Sequence, residues 1–236
     1  MTRRRWIADE VDGNRAALVG EHAAHLSRVL RVRVGQEFDV VAEGFVRHAR
    51  VSAVADHRVD FELGEHLPAH LAADLTVFIS IFKFDRMEWA IEKITELGVA
   101  RIVPVVARRT EHHLAAAAVK RVERWRRIAA QASEQARRSV VPEIADSIPL
   151  ESAILSSASI KIVLSELEQE NTLRAVVPDG AASSAIALAF GPEGGWSEDE
   201  LAVFHKHDWT SASLGDTILR AETAVIAAVA IVLCLI

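Results

Sequence analysis

The chain predicts an α/β fold preceded by a small β-barrel, and three features of its sequence carry that expectation. Short β segments crowd the first 70 residues, apolar strands alternate with helices from Leu75 onward, and half of the 236 residues are hydrophobic against a quarter charged. The alternation argues for a parallel sheet covered on both faces. At roughly 150 residues per domain, this length suits one large domain or a small one followed by a medium one. The pattern changes around Glu65-His-Leu-Pro-Ala-His-Leu71, which places a barrel at 1–70 and an α/β domain at 71–236.

In the first part, Arg5–Ala8, Ala16–Val19, Glu37–Val41, Phe45–Ala55 and Val59–Leu63 read as strands, with Gly13, Gly20, Gly35 and Gly44 near the breaks. Glu21 to Leu30 reads as a short helix. Small barrels of this kind are often used for RNA and oligonucleotide binding, although a fold by itself assigns no use. In the second part the expected order is strand Leu75–Phe82, helix Arg86–Leu97, strand Arg101–Val106, a long helix Ala115–Arg138, strands Ile160–Leu164 and Ile186–Phe190, helix Glu198–His207, strand Ser211–Leu214 and helix Leu219–Ile236. Asp85 with Glu88 has the spacing of a reciprocal helix cap, Ser197 with Glu200 repeats it, and Gly98 suits a left-handed helix exit. The long helix is expected to place Val119, Val122, Ile128, Ala129 and Ala132 on one side and Lys120, Arg124 and Arg127 on another.

Composition excludes disordered, collagen-like and low-complexity chains. A single cysteine, Cys234, cannot form an intramolecular disulfide, so a reducing compartment, the cytoplasm, is expected. No Cys/His spacing suits zinc, and the ten histidines, His112-His113 included, show no ligand pattern, so no metal is expected. Asp9, Glu10 and Asp12 follow the basic start too soon for a secretory signal. The apolar run Ala224–Ile236 holds 13 residues where a membrane span needs about 20, so it reads as a buried helix with no membrane partner. The net charge of −6 hides a polarity: 101–138 carries ten Lys/Arg against three Glu, whereas 143–236 carries four basic against fourteen acidic groups. A polyanion responds to the local field, so the basic strip is either a nucleic-acid surface or a solvated helix face.

Two stretches bear on chemistry. In Ala189-Phe-Gly-Pro-Glu-Gly-Gly-Trp-Ser-Glu198 an apolar strand runs into three glycines and then a capped helix, exposing backbone N–H groups at a parallel-sheet edge where small ligands bind. A tight turn that needs glycine only for its dihedrals is the plainer alternative. The stretch has neither the Lys-Ser/Thr of a phosphate loop nor the spaced glycines of dinucleotide binding. In Leu214-Gly-Asp-Thr-Ile-Leu-Arg-Ala-Glu-Thr-Ala224 a second strand ends in glycine, and Arg220, Glu222 and Thr223 gather at the mouth of an apolar helix, either as functional groups or as a cap and an ion pair.

Together with Lys83 to Gly98, the segments Gly191-Pro-Glu-Gly-Gly-Trp-Ser197 and Leu214-Gly to Glu222-Thr-Ala224 resemble the SPOUT methyltransferases, specifically the small-subunit ribosomal RNA uracil-N3 methyltransferase family (RsmE type). The likeness extends to Arg4-Trp, His25-Leu-Ser-Arg-Val-Leu-Arg31 and Glu134-Gln-Ala-Arg137, so it covers nearly the whole chain. Phe84 stands where glycine is common, Asp216 where a basic or other residue often stands, and Ala221 where threonine is usual.

The resemblance implies a PUA-like amino-terminal barrel and an α/β domain with a deep trefoil knot, a feature no propensity argument proposes because threaded chains are almost absent among folds. It also implies S-adenosyl-L-methionine as cofactor, a homodimer, and small-subunit ribosomal RNA or the 30S particle as partner. For the cofactor it implicates Leu164, Ser165, Gly191, Pro192, Glu193, Gly194, Gly195, Leu214, Gly215 and Leu219. Glu193 and Glu222 are the candidate bases, and Arg220 would steady charge on uracil O2 and O4. RNA would be met by Arg3, Arg4, Arg5, Arg28 and Arg31 of the barrel and by Arg108, Arg109, Arg137 and Arg138 of the basic strip. A related SPOUT enzyme acting on a ribose 2′-oxygen of rRNA or tRNA, and a non-catalytic ribosome-assembly factor, both stay open.

Overall fold

A computed structural model of the chain describes residues 5–66 and 73–236. The chain divides into two compact units, one of residues 1–71 with 133–140 and one of residues 72–132 with 141–236. The boundary expected at 70/71 lies outside the described residues, as do Arg3 and Arg4. That 133–140 joins the first unit is visible only in three dimensions.

The first unit is built on a six-stranded sheet. Its strands are β1 (Arg5–Ile7), β2 (Glu10–Asp12), β3 (Arg15–Val19), β4 (Glu37–Ala42), β5 (Phe45–Ala55) and β6 (Arg58–His66), ordered β1-β4-β5-β6-β3-β2. Among the described residues of this sheet only the β1–β4 pair is parallel. Glu43 and Gly44, both at positive φ, make the two-residue turn between β4 and β5, whose handedness matches the strand twist. Trp6, Leu18, Leu26, Val40, Val59 and Phe61 are buried together as its core. The helix expected at Glu21–Leu30 is shorter: α1 (Gly20–Ala24) gives way to a π-helical turn at His25–Val29. The wider turn is closed by Leu30 N–H to the His25 carbonyl, and it keeps Leu26 inside while Val29 faces out, 65% exposed.

His22 stands between two acids in this unit, Nδ1 being 3.6 Å from Asp9 Oδ1 and Nε2 3.3 Å from Glu134 Oε1. Burial pushes the Glu134 carboxyl above the ordinary carboxylate range; His22 opposes that shift and Asp9 adds to it. A raised acid contributes stability below its unfolded value and loses it as pH rises through the folded one. Glu134→Gln is therefore expected to raise the neutral-pH Tm by on the order of 1–2 °C, with the gain vanishing toward acid pH in a calorimetric series.

In the second unit β7 (Leu75–Ser80), β8 (Arg101–Val106), β9 (Glu143–Ile144), β10 (Ile148–Pro149), β11 (Ile160–Leu164), β12 (Ile186–Phe190) and β13 (Thr210–Ala212) form an all-parallel sheet. Its order is β10-β8-β7-β12-β11-β13, with β9 also beside β8. Alternate residues enter different cores: Leu75, Val77, Ile186 and Leu188 join one cluster, Phe78, Val163, Ala187 and Ala189 the other. Such near-continuous apolar strands are what a sheet covered on both faces requires. The first face carries α2 (Phe84–Leu97), α3 (His112–Ala118) and α4 (Val122–Gln135). The short α5 (Leu150–Ala153) and α6 (Leu173–Val176) come next in the chain, and α7 (Glu198–Lys206) packs on the second face. The terminal α8 (Ala221–Leu235) buries Glu222, Val225, Ala228, Val229 and Val232 on its inner side.

Two local expectations are corrected. Glu88 does not cap α2, which starts at Phe84 after an uncapped Lys83; its carboxylate instead accepts a forked pair of bonds from Arg124 at 2.7 and 2.8 Å, a charge-assisted geometry that outcompetes a backbone cap. The helix expected over Ala115–Arg138 is broken into α3 and α4. The alanine run offers little area to hold a straight rod, and at the break Arg121 lies over the Phe84 ring, 4.8 Å from its centroid, leaving Val119 71% exposed. Its far end stops at Gln135 because Arg137 takes a left-handed φ and Arg138 N–H closes on the Ser133 carbonyl. Gly98, at φ +115°, and the reciprocal Ser197–Glu200 cap behave as expected.

Candidate active site

β11, β12 and β13 are neighbours, and the segments that follow them converge at one edge of the sheet on a cavity of about 380 Å³. From the end of β11 come Leu164, Ser165 and Glu166; after β12 come Gly191, Pro192, Glu193 and Gly195; after β13 come Leu214, Gly215 and Leu219. The two glycine-bearing bends, about twenty residues apart, thus share one wall. Gly194 is turned the other way, its α-carbon facing Arg109.

The 191–197 loop is held from outside the cavity. Arg109 Nη1 donates to the carbonyls of Gly194 (2.7 Å) and Trp196 (3.1 Å), and Trp196 Nε1 donates to the Leu164 carbonyl at 3.1 Å, tying the bend to the end of β11. Gly195 has φ +68°, and a Cβ there would collide with Glu166 Oε1. Gly195→Ala is expected to cost about 1–2 kcal/mol in backbone strain and to push Glu166 toward the cavity, which a urea titration alongside ligand calorimetry would register. At the start of α7 the buried Glu200 accepts from Ser197 N–H (2.8 Å), Ser197 Oγ (2.9 Å) and Arg108 N–H (2.7 Å). Glu200→Ala strands these donors and should destabilise the protein by about 2–3 kcal/mol in the same titration.

Five charged groups line the cavity: Arg86, Glu166, Glu193, Asp216 and Arg220. Arg220, exposed at the N-cap of α8, lines the cavity, and no ion pair engages its guanidinium among the described residues. Arg86, near the start of α2, also lines it; Nη1 donates to Glu193 Oε1 at 2.6 Å and Nε lies 3.9 Å from Glu222 Oε1. Glu222 is 5% exposed and stands off the cavity wall. Sequence reasoning missed Arg86 and Glu166. Both lie inside or beside segments it had singled out, but neither is marked by local pattern.

The expected RNA contacts are spread over both units. In the first, Arg5 Nη1 donates to the Arg137 carbonyl, Arg28 reaches His57 at 3.3 Å and Asp56 at 3.6 Å, and Arg31 is exposed. Burial lowers the Arg138 guanidinium from its ordinary value. In the second, Arg108 pairs with Asp199 and Arg109 serves the glycine loop. Lys120 and Arg127 are exposed without an ion pair among the described residues.

The comparisons with known proteins agree with this geometry. Residues 69–233 match the model of the RNA methyltransferase domain family. A relative from Aquifex aeolicus, a ribosomal RNA small subunit methyltransferase E, is 30% identical over 232 residues, covering 97% of this chain and 98% of its own. Its namesake from Rickettsia conorii is 28% identical over 225 residues, covering 93% and 89%. The solved ribosomal RNA small subunit methyltransferase E of Neisseria gonorrhoeae, bound to S-adenosyl methionine, superposes with a TM-score of 0.84 at 29% identity over 97% of this chain and 95% of that one. A curled six-stranded sheet followed in the chain by a parallel sheet with its cavity at the strand ends is the SPOUT class of α/β fold. The chain belongs to the RNA methyltransferase domain family and, within it, to the ribosomal RNA small subunit methyltransferase E family.

Proposed function

We propose that this chain is an S-adenosyl-L-methionine-dependent methyltransferase that modifies N3 of one uridine in 16S small-subunit ribosomal RNA, working in the cytoplasm as a homodimer. The observation that carries the reading is the single cavity shared by the 191–195 and 214–219 loops. The residues suit the cofactor: Leu164 at the end of β11 and Leu214 just past β13 frame a glycine-bearing wall where a Cβ at 195 would collide with the cavity-lining Glu166, and both acids and arginines stand at the mouth. Leu164, Ser165, Gly191 to Gly195, Leu214, Gly215 and Leu219 would hold it, with Gly194 acting through the loop rather than by contact. When bound, the cofactor supplies an electrophilic methyl group on a sulfonium.

Uracil N3 carries a proton between two carbonyls, so its lone pair attacks only once that proton leaves and charge spreads to O2 and O4. Of the two candidate bases, Glu193 lines the cavity, as Glu166 and Asp216 also do, and is the acid we assign to accept the proton; Glu222 is set back behind Arg86. Arg220 supplies a free cation for the developing charge. N3 is occupied in base pairs, so the target uridine must be unpaired or flipped out. Arg5, Arg28, Arg31, Arg137 and Arg138 of the first unit and Arg108 of the second, with Lys120 and Arg127, supply cations for the RNA backbone, whereas Arg109 is committed to the glycine loop. Arg3 and Arg4 would extend that set. The solvent-facing side of α8, where Thr223 and Cys234 are exposed, is the face for a second copy.

Calorimetry with S-adenosylmethionine, followed by methylation of small-subunit RNA and mass analysis of its nucleosides, tests the reading. The expected product is 3-methyluridine. A 2′-O-methyl nucleoside would transfer the protein to a neighbouring activity, and absence of cofactor binding would favour an assembly factor. RNA affinity should fall by about 10²–10³-fold between 50 and 200 mM salt through counterion release, as about six phosphate contacts require; a flat filter-binding series would remove this surface from the account.

A further inference from the structure

We propose that Arg86 is a second cation of the reaction, holding one carbonyl oxygen of the target uracil, and that the buried Glu222 is the positioning residue that keeps it there. The proposal rests on the uracil-N3 reading above and deepens it. Arg86 gives Nη1 to Glu193, turns Nε toward Glu222, and leaves Nη2 without a protein acceptor among the described residues while lining the cavity. Glu222 has little access to water, and its Oε2 has no hydrogen-bond partner among the described residues. A buried carboxylate so poorly satisfied is costly unless a cation offsets it, and Arg86 is the cation that faces it.

The substrate's chemistry calls for this arrangement. The deprotonated ring bears its charge on two oxygens flanking N3, and a single guanidinium on one side serves only one of them well. Arg220 and Glu222 stand two residues apart at the start of α8, so anchoring Arg86 to Glu222 fixes both cations relative to one helix end. Arg86 also orients Glu193. In the balanced step, the N3 proton passes to a Glu193 oxygen, the N3 lone pair bonds to the methyl carbon, and the carbon–sulfur pair stays on sulfur as a neutral thioether. Arg86 gains and loses no proton.

The test uses the full chain with S-adenosylmethionine and small-subunit RNA, comparing wild type, Arg86→Ala, Arg86→Lys, Glu222→Gln and the double variant Arg86→Ala/Glu222→Gln. Calorimetry reads cofactor affinity; single-turnover rates at saturating RNA are followed against pH. For Arg86→Ala the rate is expected to fall about 100-fold while cofactor affinity moves less than about twofold. The deficit should shrink as pH rises, because hydroxide then provides the anion without the cation's help. Arg86→Lys should recover only part of the rate, since it lacks the planar fork, and Glu222→Gln should lose about tenfold through looser placement of Arg86. If Arg86→Ala leaves Glu222 too costly to fold, the double variant removes that charge and reads the same deficit. A deficit independent of pH, or one matched by lost cofactor affinity, overturns the proposal while leaving the methyltransferase intact. A wild-type chain that binds no cofactor or makes no 3-methyluridine overturns the underlying reading instead.

Discussion

Arg220→Ala is expected to slow methyl transfer by about 10²–10³-fold, the scale seen when one preorganised donor to a developing oxyanion is removed, while cofactor affinity changes by less than about twofold. The size follows from what surrounds the guanidinium. Arg220 sits where α8 begins, lines the cavity, and has no carboxylate bound to it among the described residues, so its charge is not already neutralised as those of Arg108 and Arg124 are. It also caps no backbone group with its side chain, so truncation removes a charge without unravelling the helix. Single-turnover rates with saturating RNA separate this from a loss of binding. Unchanged turnover in the folded variant would take Arg220 out of the mechanism.

Phe204→Ala should be the most destabilising of the substitutions considered, at about 3–5 kcal/mol for a fully buried aromatic ring. Phe204 is 0% exposed and meets Trp196 edge-on at 4.9 Å and Trp209 at 5.1 Å; Trp209 in turn meets Phe78 of the sheet at 5.9 Å. The ring is therefore what seats Trp196, and Trp196 is what ties the glycine loop to β11. The variant should unfold at lower urea, seen by tryptophan fluorescence, and should also bind S-adenosylmethionine more weakly, because the cavity wall loses its backing. Lost stability with full cofactor affinity would show that the loop is held by Arg109 alone.

Three strands of the second unit were readable to the residue because each is a short apolar run between turn residues: Arg101–Val106, Ile160–Leu164 and Ile186–Phe190 coincide with β8, β11 and β12, whereas β9 and β10, of two residues each, gave no signal. Gly98 and the Ser197–Glu200 pair were readable because a left-handed exit and a reciprocal cap are made by residues within one turn of each other. Glu88 shows where that reasoning fails, since its spacing from Asp85 is right but Arg124 of α4 and Arg121 of the turn before it claim it. Val11 in β2 is flanked by only two strand residues and α5 spans four residues, too few for a period to register. Among the candidate site residues, nearly all of the cofactor set meets in one cavity, whereas Gly194, Arg109 and Glu222 have side chains or α-carbons directed elsewhere.

What the amino-acid order determined alone was most of the longer strands and helices and the two glycine bends, because these depend on neighbours one to four residues apart, and the polarity of charge, which the counts give directly. Which acid reaches the cavity and which is buried, which arginine is free and which is spent on a loop carbonyl, and that Arg86 stands between Glu193 and Glu222 were decided by tertiary structure. Those outcomes are set by competition among partners about 85 to 136 residues apart in the chain, and Coulomb attraction and burial have no expression in sequence until the sheet has brought the competitors within a few ångströms.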